Sequence, residues 1–245
     1  MALIFWIFIL IVFYTYVGYG ILLFFLVKVK EIFKHEKASK FTQGNKNHIL
    51  PPVTLLIAAY NEEDIIEEKM KNCYNIDYPA NKFEIFWITD GSNDSTNALV
   101  DKYVKSSSGD SKLPKVSLSF STERKGKTAA INRAIPLIDS QIIVLTDANT
   151  NLNREVILEI VNKFQNPQVG CVAGEKRVNT NNSVNAAGSE GIYWKYESFL
   201  KKYDSRLNST VGAAGELYAI RKNLFEPMPE DTLLDDFISS LHIAM

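Results

Sequence analysis

From Val53 onward, short runs of β-branched and aromatic residues alternate with stretches of helical periodicity, and that alternation leaves few folds open. Strands are predicted over Val53–Ala59, Phe83–Thr89, Val116–Phe120, Gln141–Thr146 and Val169–Ala173. Helices are predicted near Glu63–Cys73, Ser95–Val104, Lys127–Leu137 and Arg154–Phe164. A longer helical stretch from Val184 to about Leu207, a strand-like Leu217–Ile220 and a last helix from about Leu233 complete the pattern. Units of this kind join parallel strands through right-handed crossovers, so the expectation is an α/β fold with a mixed, mainly parallel sheet and helices on both faces. Ligands of such sheets collect at the carboxyl ends of the strands.

A segment of another kind lies upstream. Ala2 to Val27 carries no charged side chain, and its 26 residues would span about 39 Å as a helix, against roughly 30 Å for a bilayer core. A single transmembrane pass is therefore predicted. A signal peptide would show a basic start, a shorter apolar core and a small-residue cleavage site, and none is evident. No Lys or Arg precedes the segment, while six lysines lie between Lys28 and Lys46. The positive-inside rule then puts the N-terminus outside the cell and everything after Val27 in the cytoplasm. The same lysines can rest on anionic headgroups, which makes membrane lipid a partner. Cytoplasmic placement also disarms the Asn-X-Ser/Thr sequons at Asn93, Asn181 and Asn208. The implied organisation is a transmembrane helix at 2–27, a basic juxtamembrane linker at 28–50 and a folded domain at 51–245.

Composition excludes several classes. Lys+Arg is 27 and Asp+Glu 28, a net charge of −1, without the basic excess of a nucleic-acid binder. Cys73 and Cys171 make no disulfide scaffold, and His35, His48 and His242 are scattered without zinc-site spacing.

The strand ends carry the chemistry. Tyr60-Asn61-Glu62 follows the first strand, Asp90-Gly91-Ser92-Asn93-Asp94 the second, Arg124-Lys125-Gly126-Lys127 the third and Asp147-Ala148-Asn149 the fourth. Such a set suits a nucleotide, a diphosphate and a divalent metal. Asp147 and Asn149, at i and i+2 of an extended segment, can face one cation, and hard oxygen donors suit Mg²⁺ or Mn²⁺. A plain turn accounts for the same two residues. Ser92 and Asp94 can be helix caps, whereas Asp90 has no capping duty. Lys127 opens a helix, where a cation is electrostatically misplaced unless an anion sits beside it. A rival reading is a P-loop NTPase, since Ser121 to Thr128 reads S-x-x-x-x-G-K-T, one substitution from that motif. Ser121 is a poor replacement for the first glycine, and the rival leaves Asp90 and Asp235-Asp236 unexplained.

Ala59-Tyr60-Asn61-Glu62, Asp90-Gly91-Ser92, Lys125-Gly126-Lys127, Asp147-Ala148-Asn149 and Leu234-Asp235-Asp236 stand in the order found in family 2 glycosyltransferases. The chain resembles the membrane-bound, polysaccharide-synthase-like members of that family, which have the GT-A fold, over about Pro52 to its end. The resemblance implies that 51–245 is a catalytic domain in which Tyr60, Glu62 and Asp90 contact uridine and Lys127 approaches the diphosphate. Asp147 and Asn149 would occupy the D-x-D metal position, with Mg²⁺ or Mn²⁺ as cofactor. Asp236 would match the last acid of the T-E-D motif, the general base. Gly212 to Glu216 resembles the segment lining the acceptor site, and Glu190 to Glu197 the helix preceding it. The implied reaction is inverting transfer from a nucleotide sugar, a UDP-sugar first, to a saccharide or lipid-linked acceptor at the cytoplasmic membrane face. Asn149 departs from the second D-x-D aspartate, and Leu234-Asp235 from T-E. The chain ends at Met245 without a Q-x-x-R-W segment, as a C-terminally truncated synthase would. A catalytically dead nucleotide-sugar binder is the non-enzyme alternative.

Overall fold

The computed structural model describes residues 2–33, 50–176, 186–210 and 212–245. Most of the juxtamembrane linker, the sequon at Asn181 and the predicted helix start at Val184 lie outside the described residues. The chain divides into two compact units, Met1–Asn47 with Lys176–Val211 and His48–Glu175 with Gly212–Met245.

In the first unit, α1 (Ala2–Phe13) passes through a π-helical turn at Tyr14–Gly18 into α2 (Tyr19–Phe33). Together they make one apolar helix of 32 residues, about 48 Å long and enough to cross a bilayer. It runs past the predicted end at Val27. The reason lies in α7 (Ala186–Leu207), on which Gly20, Leu23 and Val27 are buried. The Tyr196 hydroxyl donates to the Tyr16 carbonyl (2.8 Å), within the π turn that frees it. Lys30 donates to the carbonyls of Arg206 (3.0 Å) and Leu207 (2.6 Å), closing the carbonyl end of α7. Glu31 pairs with Arg206, and Tyr19 donates to Asp204 (2.7 Å).

The second unit is a mixed six-stranded sheet in the order β3-β2-β1-β4-β6-β5. Its strands are β1 (Val53–Ala59), β2 (Phe83–Asp90), β3 (Lys115–Ser121), β4 (Ile142–Asp147), β5 (Cys171–Ala173) and β6 (Leu217–Arg221). The first four are mutually parallel, and β6 runs antiparallel to both β4 and β5. β1 is central, and its run Val-Thr-Leu-Leu-Ile is buried throughout, as a strand covered on both faces must be. Side chains alternate between two cores. On one face Leu55, Ile57, Ile85, Trp87 and Val144 meet α3 (Ile66–Tyr74), α4 (Thr96–Ser107) and α6 (Val156–Phe164). On the other, Leu56, Ile88, Ile143 and Leu145 meet α5 (Lys127–Ala134) and, at its margin, α8 (Asp235–Ala244). The β1 register sets Ala59 beside Thr89 and Ala58 beside Asp147, so the carboxyl ends of β1, β2 and β4 stand together.

Several boundaries in this unit differ from expectation by up to three residues, among them these three. α3 begins at Ile66 rather than Glu63, because Glu63 is spent on the neighbouring loop: its amide donates to Asp94 (3.2 Å) and its carboxylate accepts from the Ser95 amide (2.8 Å). β5 is three residues long, starting at Cys171. α8 starts at Asp235, two residues late.

Candidate active site

The loops after β1 and β2 are laced together. Asn61 adopts a left-handed conformation (φ 52°), which Asn tolerates better than most side chains. Its side chain exchanges two hydrogen bonds with Asn93, at 2.8 and 3.0 Å. The Asn61 amide donates to Ser92 Oγ and the Glu62 amide to Thr96 Oγ1. Ser92 therefore ties two loops together instead of capping α4, while Asp94 accepts the first helical amide, that of Thr96 (2.9 Å). This lacing presents Tyr60 and Glu62 at the sheet edge. Burial pushes the Glu62 carboxyl up, and the negative charges of Asp147 and Asp94 add to the push.

Asp90 is 5% exposed at the end of β2. One carboxylate oxygen accepts the amides of Lys125 (2.6 Å) and Gly126 (2.7 Å), and the other faces Arg133 at 3.2 Å. The loop before α5 is thus pinned from below. Gly91 (φ +71°) is required there, since a Cβ would stand 2.7 Å from the Arg124 Cβ and 2.9 Å from its backbone. So pinned, Arg124 lies over the Tyr60 ring, 3.9 Å from its centroid. The same pinning removes the P-loop rival, whose phosphate cradle needs free loop amides. Two of those amides are already spent on Asp90.

Lys127 sits at the first position of α5 behind Gly126 (φ +98°). Its misplaced charge is answered internally. The ammonium lies 2.8 Å from Asp147 Oδ1 and 3.7 Å from Asp235 Oδ1. A Cβ on Gly215 would lie 3.3 Å from Asp236 Oδ2 and 3.9 Å from Lys127 Nζ, so Asp236 and Lys127 flank that glycine. Burial by itself lowers the Lys127 pKa, but Asp235, Asp147 and Asp236 outweigh it and hold the ammonium above its ordinary value. Burial also raises Asp235, with Asp236 adding to the effect, because one lysine shared among three acids does not offset it. Asp235 is 6% exposed and accepts from the Tyr218 hydroxyl (3.2 Å), whereas Asp236 is half-buried. The two adjacent acids therefore face different surroundings.

One residue of this region was hidden in the sequence. Lys69, in the acidic and basic run Glu-Glu-Lys-Met-Lys, is 3% exposed within α3. Its ammonium donates to the carbonyls of Asp147 (3.0 Å) and Thr150 (2.5 Å) and touches Thr146 Oγ1 at 3.5 Å. Burial lowers its pKa to about 8 even with Asp147 close by.

Tyr60, Glu62, Asp90, Lys127, Asp147 and Asn149 all line one cavity of about 280 Å³, with Arg124 and Gly126 completing its wall. Asp147 ends β4, Ala148 is buried, and Asn149 turns outward beside it. The donor set fits a hard divalent cation shared with a diphosphate, which needs only one or two protein oxygens. Lys127 already stands against Asp147, so the charge of that carboxylate is balanced by its ammonium. Among the described residues no cluster of three or more His, Cys, Asp or Glu would hold a metal without such a shared ligand.

Residues 54–228 match the profile described as glycosyl transferase family 2. The chain belongs to that family. This family 2 glycosyltransferase is 29% identical over 198 residues to a β-monoglucosyldiacylglycerol synthase of Nostoc sp., across 76% of this chain and 40% of that protein. It is 30% identical over 136 residues to a poly-β-1,6-N-acetyl-D-glucosamine synthase of Staphylococcus aureus, across 55% of this chain and 31% of that one. Among solved structures it is similar to a mannosyltransferase from Pyrobaculum calidifontis in complex with GDP-Man and Mn²⁺, with a TM-score of 0.68 and 29% identity. That likeness covers 80% of this chain and 53% of the other. The chain spans less than half the length of these two curated relatives. The glycosyltransferase thus has the GT-A fold, and a structural neighbour binds a nucleotide sugar with Mn²⁺.

Proposed function

We propose that this glycosyltransferase transfers a sugar, with inversion, from a nucleotide sugar to a saccharide or lipid-linked acceptor at the cytoplasmic face of the membrane. The observation that carries the reading is the convergence of Tyr60, Glu62, Asp90, Lys127, Asp147 and Asn149 on one cavity, with Asp236 beside Lys127. Tyr60, Glu62 and Asp90 form the nucleoside end, where the Tyr60 ring offers a stacking face. Lys127 holds the diphosphate and, on exchanging Asp147 for phosphate oxygens, offsets the negative charge that grows on the leaving group. Asp147 and Asn149 would hold Mg²⁺ or Mn²⁺, which supplies Lewis-acid stabilisation of the same leaving diphosphate. Asp236 takes the proton of the acceptor hydroxyl. We infer a UDP-sugar donor first, as in the polysaccharide-synthase-like members that the chain resembles, and the structural neighbour in complex with GDP-Man makes GDP the rival. The apolar helix Ala2–Phe33 supports membrane attachment, and the lysines that follow it support a cytoplasmic catalytic unit. The names of the curated relatives, a lipid glucosyl synthase and a polysaccharide synthase, support those two acceptor classes.

The test is Asp236→Asn in the full-length protein. Loss of a general base should cut transfer by at least about a hundredfold while UDP affinity, measured by calorimetry, stays within about threefold. Near-normal transfer rules out this mechanism. Binding of GDP in preference to UDP reassigns the donor, and metal-independent UDP binding removes the metal from it.

A further inference from the structure

We propose that Lys69 is a positioning residue: from beneath the sheet edge, its ammonium holds the Asp147–Thr150 turn in the geometry that the metal and diphosphate require. The proposal rests on the reading of that turn given above.

The placement of this lysine is unusual for its residue type. Ile66, Lys69, Met70 and Cys73 are the buried residues of α3, spaced as one continuous helical face. A lysine in the middle of that face is almost never fully buried unless it is paired. Here each of its three donors has an oxygen partner, and the two closest are the carbonyls of Asp147 and Thr150. These carbonyls bracket Ala148 and Asn149, both of which line the cavity. The ammonium therefore bridges the two ends of the turn. It leaves the Asp147 carboxylate free on the opposite side, where Lys127 now stands.

A second side chain from the same helix repeats the grip three residues on. Asn72 Nδ2 donates to the Leu152 carbonyl (2.8 Å), and its Oδ1 accepts the Leu152 amide (2.9 Å). Lys69 and Asn72 thus hold the chain on both sides of Asn149, on a rigid helix rather than on another loop. A turn left to itself would move Asp147 and Asn149 independently, and a shift of about 1 Å in a catalytic arrangement costs on the order of a hundredfold. An apolar side chain at position 69 would fill the same core volume. It would leave the two carbonyls without their donor.

The experiment compares Lys69→Met, Lys69→Arg and Ile66→Val in the full-length protein. Ile66 is buried on the same face and, being apolar, donates no hydrogen bond to the turn, so it controls for a general loss of core packing. In protein without metal or nucleotide, amide exchange over 147–152 should accelerate at least tenfold in Lys69→Met and stay unchanged in Ile66→Val. Calorimetric titration of UDP with MnCl₂ should show at least a tenfold weaker Mn²⁺ dependence for Lys69→Met, with partial recovery in Lys69→Arg. The turnover number should fall more than the Michaelis constant for the donor rises. Unchanged exchange and unchanged Mn²⁺ dependence in folded Lys69→Met overturn the proposal. If that variant does not fold, Lys69→Gln, which keeps N–H donors without the charge, is read by the same two measurements. Wild-type protein that ignores Mn²⁺ would instead defeat the metal reading, and the exchange measurement still decides whether Lys69 holds the turn.

Discussion

Asp90→Asn separates the structural duty of this acid from any contact with a nucleoside. The substitution keeps the shape of the side chain and removes its charge. In the native site one oxygen accepts two backbone amides while the other faces Arg133, with the two side chains 7% and 30% exposed. An amide side chain has one oxygen to divide between these two sides. Turned toward the loop, it sets its NH₂ against the Arg133 donors; turned the other way, it sets NH₂ against the amides of Lys125 and Gly126. Hydrogen bonds to a charged group contribute about 1.5–3 kcal/mol each, but three that share one carboxylate do not add. Removing one partner of a buried pair costs about 3–5 kcal/mol, and that is the expected loss. With a urea m-value near 2 kcal/mol/M, the midpoint should fall by about 2 M at unchanged slope. Fluorescence of the full chain in detergent would follow it, since Trp87 lies wholly buried on the same strand. Arg133→Met alone should cost less, because Asp90 keeps its two amides. The double variant should lose clearly less than the sum of the two. A loss below about 1 kcal/mol for Asp90→Asn, or strict additivity in the double variant, refutes the reasoning.

Three further outcomes are expected. The folded-state pKa of Asp235 lies above its ordinary 3.8, so its contribution to stability is fully present below that pH and is lost as pH rises toward the folded value. Asp235→Asn should therefore melt higher than wild type at pH 7, with the gap closing near pH 4; equal melting at pH 7 in scanning calorimetry contradicts this. Gly91→Ala should cost about 1–2 kcal/mol of backbone strain and a further ~1–3 kcal/mol of overpacking against Arg124. Gly126→Ala, whose Cβ meets nothing within 4 Å, should cost only the strain of its glycine-type backbone (φ 98°, ψ 166°), about 1–3 kcal/mol. A Gly91→Ala loss of no more than about 2 kcal/mol in chemical denaturation would show the Arg124 contact to be unimportant. Protease added to right-side-out vesicles should leave residues 51–245 uncut, and digestion would reverse the proposed orientation.

The sheet and the edge of the cavity were legible because each central strand is an apolar run that stops at a polar residue. Val53–Ala59 ends before Tyr60, and Ile142–Leu145 gives way to Asp147. Burial on both faces explains why those strands read so clearly. What stayed hidden depends on which partner a polar side chain finds in three dimensions. Lys69 and Asn72 sit in a run of charged and polar residues that reads as a solvated helix face, and only their contacts across about 80 positions place them inside. Arg124 and Arg133 look like ordinary basic residues of a loop and a helix. Their roles come from Tyr60, just after β1, and Asp90, at the end of β2. The late start of α3 has the same origin, since Glu63 belongs to a loop-to-loop contact that helical periodicity does not register.

The pairing of α2 with α7 imposes an order on biosynthesis. Tyr19 and Asp204 are 185 residues apart, so at about 5–20 residues per second the groove around Gly20, Leu23 and Val27 waits roughly ten to forty seconds for its partner. During that interval the ribosome delivers β1 to β4, which can pair among themselves. β5 bonds only to β6 within the sheet, and β6 emerges after α7. β5 is thus made before α7 but waits for β6, which arrives with the acids at the head of α8 after the helix pair is complete. A nascent chain stalled before residue 207 would carry a nearly finished nucleotide edge, with neither Asp235 nor Asp236 to face it.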